Sequence, residues 1–336
     1  MTSAGQTRRA SGHRLALARG FLTMLASTLA LLALSRIFAP SAISAGALAG
    51  SLPFAAILAI VGLAQMLVVQ QGGFDLSLAG GVSLAVVIAT HVPAGDSAEL
   101  PRAVLLAFLA AGAAGMLNGV LVGVARLNAI VATIGTNALI YGGVFAVSGG
   151  VPRTTTPLLA TIAGGETLAV GNALWFALAI LILVALVLKK TVIGRRFEAI
   201  GANPLAARAI GLGVRRYQVA AYVCAQLLYA VAGLLIAGVT KEPTAFQGDP
   251  LLLPSVAVVV LGGTSLLGGR GFPVSTVIAA FFLNQLSQFA LAIGVPYSAQ
   301  TIIQAFALGL GIAAYSLRLP TSLKKLVIPS NREERR

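Results

Sequence analysis

Apolar runs separated by short stretches of glycine, proline and charge repeat along almost the whole chain. A helix rises about 1.5 Å per residue, so about 20 apolar residues cross a hydrocarbon core of about 30 Å. The pattern predicts ten such spans, at 20–38, 48–69, 76–92, 104–124, 129–147, 172–188, 219–239, 251–267, 273–293 and 298–317. No segment shows the short apolar–polar alternation of an outer-membrane barrel. The predicted fold class is all-α and polytopic. Residues 1–19 and 318–336 form tails on either side of a transmembrane unit over 20–317.

Composition supports the membrane reading: 58% of the 336 residues are apolar and 10% charged, too little polar surface for a soluble globule. The net charge of +14 then becomes a topological signal. With a cytoplasmic N-terminus, 19 of the 23 Lys and Arg fall inside, against Arg36, Arg102, Arg153 and Lys241 outside. That bias places both termini in the cytoplasm. The cations lie in loops and tails, not on a face interleaved with aromatics, so no nucleic acid is expected. The arginines before the first run precede no small-residue cleavage site, which predicts a retained first helix. Cys224 is the only cysteine, and His13 and His91 are far apart, so no disulfide, metal site or cofactor is expected.

Polar residues inside the spans are the candidates for function. QQGGFDLSLAGG, residues 70–81, breaks the apolar pattern. Gly72 and Gly73 allow a turn, and Asp75 with Ser77 precedes the next helix. An N-cap at the cytoplasmic interface explains Asp75 more simply than a solute contact, although a carboxylate inside a membrane is a functional signal. Gln65, Asn118, Thr133, Thr136, Asn137, Asn284 and Gln285 are uncharged polar positions in greasy spans. They suit either a path for a neutral, hydroxyl-rich solute or hydrogen bonds between helices, and both readings stand. The scarcity of charge there argues against a proton or sodium relay. Small residues at three- and four-residue spacing in AFLAAGAAGMLNGVLVGVA predict close helix packing. GGTSLLGGRG lacks the order of a phosphate loop and predicts a turn. No HExxH, GxSxG or carboxylate pair is present. The segment 148–171 is too short for a soluble domain and predicts a cap over the membrane.

The segment 189–218 holds seven Lys and Arg and one acid. Asn203 followed by Pro204 is a helix start, Leu205 to Ile210 favour a short helix, and Gly211 and Gly213 end it. The helix is expected to lie along the membrane surface and expose Leu205, Ala209 and Leu212, with Arg208 nearby. Attraction to anionic lipid alone needs no Asn-Pro start, so a docking element is the favoured reading. A stub this short needs a partner or the rest of its loop to hold it.

Four blocks carry a resemblance over about 65–315: GGFDLSLAGG, LNGVLVGVARLNAIVATIGTNALIYGG, GRRFEAIGANPLAARAIGLGV and VVVLGGTSLLGGRG. In this order they resemble the permease subunits of bacterial ATP-binding-cassette importers, in the ribose-type monosaccharide branch related to branched-chain amino-acid permeases. The resemblance implies a bacterial inner-membrane protein that is not itself an enzyme. Its implied partners are a cytoplasmic ATPase subunit dimer, a periplasmic solute-binding protein, a second permease copy or paralogue, and the lipid bilayer. It also implies that Asn203, Pro204, Leu205, Ala206, Ala207, Arg208, Ala209 and Gly211 form the helix that couples to the ATPase. Candidates for the translocation path are Gln65, Asp75, Ser77, Asn118, Thr136, Asn137, Asn284 and Gln285. The family often has an acidic residue and a small one before VVLGGTS, whereas this chain reads GDPLLLPSVAVVVLGGTS with Pro254, a departure that bears on the solute. The expected solute is a monosaccharide or related polyol. The alternatives are an autonomous ion-coupled secondary transporter or an ATP-driven permease for branched-chain amino acids.

Overall fold

A computed structural model describes residues 4–296 and the isolated positions 299, 302, 305, 306 and 309. The tenth expected span and the C-terminal tail otherwise lie outside the described residues. The elements in order are α1 (Ala4–Phe38), α2 (Ala45–Gln70), α3 (Leu78–His91), α4 (Leu100–Gly119), α5 (Ala129–Ser148), α6 (Pro157–Gly164), β1 (Glu166–Thr167), β2 (Val170–Gly171), α7 (Asn172–Lys190), α8 (Val192–Ala202), α9 (Pro204–Ala209), α10 (Val214–Thr240), α11 (Leu252–Leu261) and α12 (Pro273–Ala292). The fold is an all-α bundle with one two-residue antiparallel hairpin.

Among the described residues seven helical stretches are long and apolar enough to cross a membrane, in α1, α2, α4, α5, α7, α10 and α12. Two expected spans are shorter than expected. α3 has 14 residues and α11 has 10, about 21 and 15 Å of helix at 1.5 Å per residue. Glycine turns explain the breaks. Gly72 and Gly263 both take φ of 81°, a backbone region that costs glycine little. Gly72 N bonds Val69 O at 2.9 Å and Gly73 N bonds Val68 O at 3.2 Å, closing the end of α2. Gly263 N to Val260 O at 2.9 Å and Thr264 N to Val259 O at 3.1 Å close α11 in the same way. This paired bond pattern satisfies carbonyls that a helix end leaves free.

α2 and α10 form the centre. The run from Ala55 to Gln70 is buried throughout, and α10 packs against α2, α3, α4 and α6. The small-residue stripe of α4 does what its spacing predicts. A Cβ placed on Gly115 would lie 2.6 Å from Val223 Cα, and one on Gly119 2.7 Å from Val219 Cα. The two backbones therefore touch directly, which larger residues would prevent. α4 then widens into a π turn over Val120–Val124.

The segment 148–171 is better packed than a simple cap. Thr156 accepts from Leu159 N at 3.2 Å to start α6, and Leu159 and Ala163 enter the same core cluster as Ile236 and Ala237 of α10.

Candidate functional site

The turn that ends α2 delivers Asp75 and Ser77 into the bundle interior, and both are 0% exposed. The expectation of an N-cap at an interface is corrected here: Asp75 is wholly enclosed, and the cap position of α3 belongs to Ser77. Asp75 Oδ1 accepts from Ser77 N at 2.9 Å and Ser77 Oγ at 2.5 Å. From α4, Asn118 Nδ2 donates to Ser77 Oγ at 2.7 Å and to Asp75 Oδ1 at 3.4 Å. From α10, Gln226 Nε2 donates to Ser77 Oγ at 2.7 Å and to Asp75 Oδ2 at 3.3 Å. Three parts of the chain thus meet around one carboxylate. A charge survives burial only where such donors replace water. Asn118 Oδ1 and Gln226 Oε1 are buried with no hydrogen-bond partner among the described residues.

Of the other path candidates, none joins this cluster. Gln65 accepts from Tyr229 Oη at 2.8 Å, tying α2 to α10. Asn137 accepts from Gly80 N at 2.8 Å, tying α5 to α3. Thr136 is buried on α5, Asn284 is half-buried on α12, and Gln285 donates to Ser35 Oγ at 3.2 Å across to α1. For Gln65, Asn137 and Gln285 the helix-bonding alternative describes what is seen. Membrane hydrogen bonds of this kind are worth about 0.6 kcal/mol on average and about 1.7 at most. Tyr229→Phe, which removes the bond to Gln65, is accordingly expected to lower stability by about 0.5–1.5 kcal/mol in an unfolding measurement. Unchanged stability would show that Gln65 finds another partner.

The basic segment folds largely as its local chemistry dictates. Asn203 Oδ1 accepts from Ala206 N at 3.0 Å and starts α9, with Pro204 in the first turn. Gly211, at φ of 82°, ends it. Leu212 N then bonds Ala207 O at 3.0 Å and Gly211 N bonds Arg208 O at 3.0 Å, and this turn folds Leu212 back beneath the helix. The expected exposure of Leu212 is corrected: it packs with Ile200, Ala207 and Val214. Ile210 takes its place outside, 75% exposed, beside Leu205 at 78%. Ala206, Arg208 and Ala209 are also exposed.

α8 secures this unit to the bundle. Gln71 Nε2 donates to Phe197 O at 2.8 Å. The GGTSLLGGRG turn closes the joint: Gly269 N donates to Gln70 O at 2.8 Å, and Gln70 Nε2 donates to Gly269 O at 3.1 Å. Gly201, near the end of α8, sits in the same contact, where a Cβ would overlap Gln70 O and lie 2.9 Å from Gly269 N. Gln70, Gln71, Gln226 and Tyr229 do not stand out as site residues in the sequence. Gln226 carried the signal that picked out Gln65, an amide in an apolar run.

Residues 47–310 match the family model described as "Branched-chain amino acid transport system / permease component". The chain belongs to this permease family. A probable ABC transporter permease protein, y4mJ of Sinorhizobium fredii, is 34% identical over 262 residues, covering 76% of this chain and 77% of that protein. The autoinducer 2 import system permease protein LsrC of Enterobacter sp. strain 638 is 34% identical over 246 residues, 71% of this chain and 70% of its own length. LsrC of Salmonella paratyphi B is 31% identical over 277 residues, 81% of this chain and 78% of its own length. No solved structure matches significantly. This permease is a multi-pass protein of the bacterial inner membrane. The family match spans both the Asp75 cluster and the α8–α9 unit.

Proposed function

We propose that this permease is the membrane subunit of an importer driven by a separate ATP-binding-cassette ATPase dimer. It works with a second copy or paralogue of itself and takes a monosaccharide or related polyol from a periplasmic binding protein. The observation that carries the reading is the joint between α8 and the end of α2. A force applied to the exposed tip of α9 enters α2 through the Gln71 bond to Phe197 O of α8 and the close contact of Gly201 with Gln70 O, directly before the turn that carries Asp75. Leu205 and Ile210 form an apolar tip on a capped helix, suited to a cleft in a partner. ATP-driven closure of that partner then rocks the packed helices as rigid bodies and exchanges outward for inward access. The import direction follows the LsrC relatives, which are named for autoinducer 2 import.

The Asp75 cluster supports a neutral solute. Ser77, Asn118 and Gln226 offer hydroxyl and amide groups, and the two unpartnered amide oxygens can accept from solute hydroxyls. The family description favours branched-chain amino acids as a second reading. Such a solute brings an ammonium, which the Asp75 carboxylate could receive, and a carboxylate, for which the described cluster contains no cation.

Purification with the ATPase dimer and the binding protein tests the proposal. ATP hydrolysis and uptake in proteoliposomes should appear only with all components present. Ile210→Asp should cut hydrolysis about 30-fold, as expected for a 2 kcal/mol interface contact, without changing the permease's own unfolding temperature. Uptake by the permease alone under an ion gradient would establish the secondary-transporter alternative instead.

A further inference from the structure

A groove of about 530 Å³ opens between α2, α7, α8 and α10, away from the Asp75 cluster. Leu67, Leu183, Val187, Phe197 and Cys224 are among its walls, and Arg216 is the one charged side chain lining it among the described residues. Arg216 also lines a second pocket, of about 360 Å³, together with Arg208, Arg215 and the backbone turn at Gly213 that starts α10. The two cavities share Arg216 as a wall, which sets an apolar groove beside a cationic mouth. Among the described residues, none lining the mouth is acidic. The ion pairs among the described residues are Arg102–Glu99 and Lys189–Glu198, so Glu198 is already engaged and the three arginines have no carboxylate partner among those residues. No side chain caps the first turn of α10, and that turn holds no acidic residue, so the helix dipole adds to the positive field.

We propose that this cleft binds an anionic phospholipid of the surrounding bilayer, with an acyl chain in the groove and the phosphate on Arg208, Arg215 and Arg216. The apolar walls reject a purely water-soluble anion over most of the cleft. The arginine mouth prefers a lipid with net negative charge over a zwitterionic one. The site lies against α8 and the start of α10, so its occupant bridges the basic segment and the membrane-spanning helices. This inference stands apart from the solute, and it shares Arg208 of α9 with the proposed ATPase-coupling helix.

Cys224 provides the measurement, because it is exposed in the groove wall and is the chain's one cysteine. The full chain is placed in nanodiscs of phosphatidylcholine alone or with phosphatidylglycerol, and labelling by neutral N-ethylmaleimide is timed. Phosphatidylglycerol should slow labelling about fivefold, the factor that one basic residue contributes at an anionic surface. Arg216→Gln should remove most of that protection and Arg216→Lys should keep it. Ala220→Trp, which fills the groove from its lining, should abolish the lipid dependence and lower the phosphatidylglycerol retained in native mass spectra. Equal labelling in both bilayers overturns the proposal, as does undiminished protection in Arg216→Gln. Equivalent protection by inorganic phosphate would assign only a small-anion pocket. Disulfide formation between Cys224 of two copies in phosphatidylcholine would assign the groove to a dimer contact. Either of these last two results also overturns the lipid site.

Discussion

A Gly201→Ala permease should lose most ATP-coupled transport and unfold well below the parent. The added methyl group meets Gln70 O and the amide of Gly269, with no flexible side-chain end to yield. Overpacking of this kind costs about 1–3 kcal/mol. Displacing the Gly269–Gln70 bonds adds about 1–3 kcal/mol for each buried group left unpaired. The combined loss is therefore about 3 kcal/mol or more, centred on the joint proposed to carry force from α9 to α2. Two other glycines calibrate the result. Gly211→Ala places a methyl in open space but at φ of 82°, so it should cost about 1 kcal/mol and disturb only the end of α9. Gly112, with nothing within 4 Å of a built Cβ, sits in a helix where alanine is favoured by about 0.5–1 kcal/mol. Thermal unfolding in nanodiscs, combined with ATP hydrolysis by the assembled complex, ranks the three. A Gly201→Ala protein that hydrolyses ATP and transports like the parent would remove the joint from the mechanism.

Asp75→Ala is expected to have the second largest effect. Its loss strands Ser77 N and Ser77 Oγ in a fully buried site and removes the longer of the two bonds that the Asn118 and Gln226 amides each make. Each buried group left without a partner costs about 1–3 kcal/mol. Removing the desolvated carboxylate offsets part of that, leaving a net loss of about 2–4 kcal/mol. That exceeds the loss expected for Tyr229→Phe, where a single neutral bond is removed. Asp75→Asn keeps the shape and one acceptor, and rotation of the Gln226 amide supplies its oxygen to the new NH2. It should unfold close to the parent. Comparing the two separates packing from charge: transport lost in both variants assigns the charge a role in translocation. Asp75→Ala with parental stability would show that the cluster does not hold α3, α4 and α10 together.

Local chemistry was readable in the sequence and distant pairing was not. Asn203, Pro204 and Gly211 specify α9 through contacts within a few residues, so their identities predict its start and stop. The paired glycines at 72 and 73 likewise announce the end of α2. Leu212 was misplaced because its direction depends on the reversal at Gly211, which folds it onto Ile200 and Val214. Asp75 was placed at an interface because the donors that make its burial tolerable, Asn118 and Gln226, lie 43 and 151 residues away. The joint was hidden for the same reason: GGTSLLGGRG reads as a connector until Gln70 and Gly201 are seen against it. The short length of α11 was masked because apolar residues, Leu266 and Leu267, continue past the glycine turn that ends it.

The glycine seam between α4 and α10 bears on which parts of this permease can travel separately. With main chain against main chain at Gly115 and Gly119, a slide along the seam would break the close fit of these glycines against Val223 and Val219. Shear is disfavoured there, and α4 and α10 are expected to swing together. The pivots then fall where regular hydrogen bonding is interrupted, at the π turn over Val120–Val124 and at the glycine turns that close α2 and α11.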